Sequence, residues 1–173
     1  MTSKEKLTSE EKMSSKDYVD KLDWQSAIAA ATLELEENKT NAVASSLIKA
    51  KSYLHSGIAR CFNPDKEGKH KEAVDDLSKA IAANPNNNEA YYYRAYAFYL
   101  DGDYEKAITD CWHINISQQR DELLGKIYTA MGNYHEAVKK FRRAIRWYNQ
   151  ETILPPPGLL DSYRDACKKM NSV

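Results

Sequence analysis

The chain has 173 residues, 42% hydrophobic and 29% charged, ordinary proportions for one soluble domain with a continuous core. Its 25 basic and 25 acidic side chains cancel, so bulk charge draws it neither to nucleic acid nor to an anionic membrane. No apolar run approaches the ~20 residues of a membrane span, and the N-terminal MTSKEKLTSEEKMSSK lacks the apolar stretch of a secretion signal. A cytoplasmic location is the default expectation.

Residues 1–16 alternate Lys, Glu, Ser and Thr and cannot offset the entropy of ordering, so a mobile tail is expected there. From Asp17 the pattern changes. Trp24, Ala27, Ile28, Ala31 and Leu35 fall at helical spacing, with Asp23 or an earlier residue as cap. A loop is expected at Glu36–Asn41. Val43, Leu47, Ala50, Leu54, Ile58 and Cys61 then hold one long apolar stripe, ended by a turn at Asn63–Gly68.

The clearest pattern runs from Asn88 to Ile114. Tyr91, Tyr92, Ala95, Phe98 and Tyr99 repeat at helical spacing, Asp101-Gly102-Asp103 breaks the run, and Tyr104, Ala107, Ile108, Cys111 and Ile114 resume it. These are two short amphipathic helices joined by a tight turn. Neither can bury its stripe alone, so similar units must stack beside it. Shifting the sequence on itself aligns Gly68, Gly102 and Gly132, and with them Ala73, Ala107 and Ala137. Pro85, which ends the unit before, has no counterpart after Ile114 and about four residues are deleted there, which predicts an unusual stacking of the units on either side. Ile153–Gly158, with three prolines, is a stiff connector to a last amphipathic helix at Gly158–Met170, expected to cap the stack.

GKHKEAVDDLSKAI, GDYEKAITDCWHI and GNYHEAVKKFRRAI, with Leu124, Gly125 and Tyr128 upstream of the last, resemble the tetratricopeptide repeat (TPR) pattern. The resemblance covers about residues 50–149. It implies an all-α helix-turn-helix solenoid of about three repeats, with a degenerate half repeat before them. Residues 17–157 would form the solenoid and 158–173 the cap.

In that family the first helices line a concave groove for a protein segment. By position the resemblance assigns to it Lys51, Leu54, His55, Ile58, Cys61 and Phe62, then Tyr92, Tyr93, Tyr96 and Tyr99, then Gln119, Glu122, Lys126 and Thr129. Independently of any family, Tyr92, Tyr96 and Tyr99 share a helix face. They suit either a partner carrying apolar anchors or burial beneath the chain's own Val43–Phe62 helix or N-terminal segment. The co-chaperone clamp for acidic C-terminal tails is absent, because its positions hold Leu54, Ile58, Tyr93, Gln119 and Leu123. A weaker likeness is to the small three-repeat chaperones of bacterial secretion systems.

No catalytic constellation is present. The four histidines (His55, His70, His113, His135) share no metal-ligand spacing, and there is no phosphate loop or nucleophile elbow. The three cysteines are far apart and read as reduced, buried side chains. Lys139-Lys140 and Arg142-Arg143 read as a solvated convex face. The expected function is a non-catalytic scaffold, adaptor or co-chaperone, without cofactor, metal, nucleic-acid or membrane partner. The alternative is a structural subunit whose groove is filled by itself or by a second copy.

Overall fold

A computed structural model describes Lys16 and residues 24–37, 45–62 and 70–172. Residues 1–15 of the expected tail, the start of the first helix, residues 38–41 of the first loop and the turn at 63–68 lie outside these. The described residues form eight helices and no strand: α1 (Trp24–Glu37), α2 (Ser45–Phe62), α3 (His70–Ala83), α4 (Asn88–Leu100), α5 (Tyr104–Cys111), α6 (Ser117–Ala130), α7 (Tyr134–Gln150) and α8 (Pro157–Asn171). They fall into two compact units, divided after Pro85.

In the first unit α2 packs against both α1 and α3. Its core includes Ala27, Ala31, Ala50, Leu54, Ile58, Ala73 and Leu77. The small side chains on α1 and α3 let the helices approach. Gly57 goes further: a Cβ there would meet Leu77 Cγ at 2.5 Å.

In the second unit consecutive helices pack pairwise, and α6 also touches α4 and α8. Ala95, Ala107, Cys111, Ile114, Leu123, Leu124 and Ile127 form one buried cluster. Ala137, Val138, Phe141, Ala144, Leu159 and Ala166 form another, which carries α8. The last helix therefore covers apolar surface on α7.

Local chemistry sets the boundaries. Asn87 Oδ1 accepts from the Glu89 and Ala90 amides (3.1 and 3.2 Å) and starts α4. Asn133 caps α7 through the Glu136 amide. At the end of α4 the Asp103 amide donates to Phe98 O and the Gly102 amide to Tyr99 O, with Gly102 at φ 79°. The end of α6 repeats this closure at Gly132, φ 75°. The end of α7 repeats it again with Thr152, φ 56°, where no glycine stands.

The deletion after Ile114 comes largely out of a helix. Counted from the aligned glycines, α3 runs fourteen residues and α5 stops after eight. Residues 112–116 then lead to α6, with the Asn115 amide held on Asn88 Oδ1 at 2.7 Å.

Candidate protein-binding face

In the second unit α4 and α8 flank α6, so these three first-position helices form one layer. Tyr92, Tyr93, Tyr96 and Tyr99 on α4 are all half-buried. Tyr92, Tyr96 and Tyr99 pack partly on the buried cluster beneath them. They are thus neither free-standing nor lost in the core. Their rings interlock: Tyr92 meets Tyr93 edge-on at 5.2 Å, and Tyr99 lies 5.9 Å from Tyr96 and 6.4 Å from Tyr104.

Beside them α6 presents Glu122 and Lys126, paired at 2.8 Å and both half-buried. Thr129 Oγ1 donates to Gly125 O, and Gln119 is exposed. Burial, then the Glu122 carboxylate, pushes the Tyr92 hydroxyl well above its ordinary range. Tyr148, on α7, is raised by the same two causes in the same order. The Tyr92 hydroxyl therefore stays protonated across ordinary pH and can donate a hydrogen bond.

Tyr99, Lys126 and Thr129 share a cleft of about 320 Å³ with Ser162, Asp165 and Lys169 of α8. The last three are absent from the sequence-derived lining. The signal for them was available: a helix after a proline-rich connector at the end of three repeats takes the place of the next first helix. Lys169 pairs with Asp165 at 2.8 Å, so both cations of the cleft are matched by carboxylates. The surface is polar, aromatic and nearly neutral.

The remaining predicted residues belong to the first unit. Lys51 is exposed, His55 half-buried and Phe62 37% exposed. Leu54 and Ile58, expected in the groove lining, are 5% and 3% exposed. The cause is that α2 is covered on one side by α1 and on another by α3, so its stripe serves the core. Cys61 is buried as well. Of the five clamp positions, Leu54, Ile58 and Leu123 are buried aliphatics and supply no cation. Among the described residues no cluster of His, Cys, Asp and Glu suits a metal ion. No described helix is long and apolar enough to cross a membrane.

The class of protein follows: stacked helical hairpins with glycine-closed turns and small residues between helices. Residues 65–111 and 122–151 match tetratricopeptide repeat family patterns, so these two stretches are similar to repeats of that family. Mouse tetratricopeptide repeat protein 12 is 31% identical over 90 residues, 51% of this chain. The match spans only 12% of that longer protein. Among solved structures, MamA superposes with a TM-score of 0.60 at 18% identity, over 91% of this chain and 95% of that one. A tetratricopeptide repeat protein from Parabacteroides merdae gives 0.51 at 18% identity, over 91% and 71%. At such identities the likeness concerns the fold. Repeats of this family suggest a protein–protein interaction scaffold kind of role.

Proposed function

We propose that the chain is a non-catalytic adaptor that holds a segment of another protein across the first-position helices of its second unit. The observation that carries this reading is the layer formed by half-buried Tyr92, Tyr93, Tyr96 and Tyr99, Glu122 and Lys126, and the α8 residues that share their cleft. Tyrosine gives large contact area and a hydroxyl at low entropic cost, which suits an interface. A nearly neutral, aromatic surface favours a segment with apolar anchors over a highly charged one.

The test uses the full chain with a photo-crosslinking residue at Tyr96, and separately at Thr129, in cell extract. A protein crosslinked from both positions is the expected partner, and its affinity is then measured against Tyr96→Ala/Tyr99→Ala. Truncating hot-spot tyrosines costs ~2 kcal/mol or more, so binding should weaken about thirtyfold. Because both rings also rest on the core, the variant is melted alongside. Full-strength binding by the folded variant would refute the reading.

A further inference from the structure

Helix α7 carries a charge pattern unlike the rest of the chain. Lys139, Lys140, Arg142, Arg143 and Arg146 face only Glu136 on this helix, five cations against one carboxylate, within a chain of net charge zero. Lys139, Arg142 and Arg146, with His135, recur at helical spacing, and all four are exposed. The stripe extends about 16 Å along the helix. Lys139 pairs with Glu136 and Arg143 with Asp121, whereas Arg142 and Arg146 make no ion pair among the described residues.

Lys140 provides a second observation. Counted from the aligned glycines, it stands where Asp76 and Asp110 stand in the preceding hairpins, and each of those binds an arginine. Here the charge is reversed. Lys140 is 8% exposed, and its ammonium lies 5.6 Å from the centre of the Trp112 ring. The indole itself is 62% exposed. A large aromatic group is thus held, open to solvent, against the Lys140 flank of α7.

We propose that this face of α7, flanked by Trp112, is a second interaction surface that takes an acidic segment of a partner protein. The segment's carboxylates pair with Arg142 and Arg146, and one apolar side chain rests on the indole. Charge complementarity argues for the acidic partner, since unpaired exposed cations gain most from it. A nucleic acid fits less well: the neutral chain supplies no long-range field for a polyanion, and a single aromatic offers no run of stacking platforms. The face shares no residue with the tyrosine layer.

The experiment titrates the full chain with a labelled helical peptide carrying glutamates at i, i+4, i+7 and i+11 and one flanking leucine. Its glutamine counterpart, a single-stranded oligothymidylate and phosphatidylserine vesicles are titrated in parallel. Saturable, salt-sensitive binding of the glutamate peptide is expected. It should weaken about tenfold or more in Arg142→Glu/Arg146→Glu and in Trp112→Ala, and stay unchanged in Tyr96→Ala. A lysine version of the peptide should bind the charge-reversed variant. Both arginines are exposed, so melting should be unaltered, and Arg142→Gln/Arg146→Gln replaces any reversed variant that melts lower. A flat titration, or binding indifferent to the arginine changes, overturns the proposal. So does tighter binding to the oligonucleotide or the vesicles.

Discussion

The Arg94 guanidinium grips the Asp110 carboxylate with two parallel contacts, Nε to Oδ2 and a terminal nitrogen to Oδ1, both at 2.7 Å. The pair joins α4 to α5, and the Asp110 side chain is only 5% exposed. In the first unit Asp76, at the equivalent register, accepts from Ser56 Oγ at 2.6 Å and Arg60 Nε at 3.0 Å, and Arg60 also pairs with Glu72. Removing one partner of such a buried pair strands the other. Arg94→Ala should therefore lower unfolding free energy by about 3 kcal/mol in urea titration. Arg94→Lys should restore little of it, because an ammonium cannot make the forked contact. Lys139→Ala, which breaks an exposed pair, should cost less than about 1 kcal/mol.

Gly125 is a packing requirement. A Cβ at this position would lie 2.5 Å from Cε1 of Phe141, whose ring is fully buried. Gly125→Ala is expected to cost about 1–3 kcal/mol by overpacking. The smaller Phe141→Leu should partly suppress the loss when the two are combined. A double-mutant cycle that shows simple additivity would contradict the contact.

Thr152 occupies a left-handed backbone position that Gly102 and Gly132 fill elsewhere. A β-branched side chain at φ 56° costs roughly 1–2 kcal/mol. Thr152→Gly should recover about 1 kcal/mol after the added freedom of the unfolded chain is subtracted, raising the melting temperature. Gly102→Ala should lower it, although nothing lies within 4 Å of the added carbon. The same substitution chemistry, run in opposite directions, thus tests the closure motif.

Burial pushes the Cys61 thiol up to about 12 from an ordinary 9.0. Cys111 rises equally, chiefly by burial and then through Asp110, against the lowering effect of Arg120 and Lys140. Both folded values lie above the unfolded one, so the neutral thiols stabilise the fold fully below pH 9.0. That contribution is lost as pH rises from there toward about 12. Denaturant midpoints should fall over this alkaline window, and Cys61→Ser/Cys111→Ser should flatten the decline. Native alkylation at mildly alkaline pH should mark Cys167, which is half-buried, well before the other two.

The repeat register was legible in the sequence because its markers are stereochemical. Gly102 and Gly132 sit at positive φ, and Ala95, Ala107 and Ala137 sit where helices approach. Helix α8 was expected at Gly158–Met170 and runs Pro157–Asn171. What escaped depends on pairing between helices. Nothing in the spacing of Asp110 names its partner, and only the hairpin brings it to Arg94, sixteen residues earlier. Lys140 looked solvated beside Lys139, Arg142 and Arg143, yet it is buried, with its ammonium over the ring of Trp112 across a helix boundary. Leu54 and Ile58 read as groove lining because one apolar stripe cannot reveal how many neighbours a helix has. Thr152 gave no hint of its backbone, since threonine seldom closes a helix in this way.

The eight residues of α5 make little more than two turns, too few to persist alone in water. Its backbone amides are protected only while Ala107 and Cys111 stay docked. In a native-state exchange experiment these amides should open together, at one shared free energy, with those of α4. The seventeen-residue α7 should instead fray inward from Gln150, its amides graded along the helix. The shortest helix would then report when its hairpin parts, making it a natural gauge of which segment yields first.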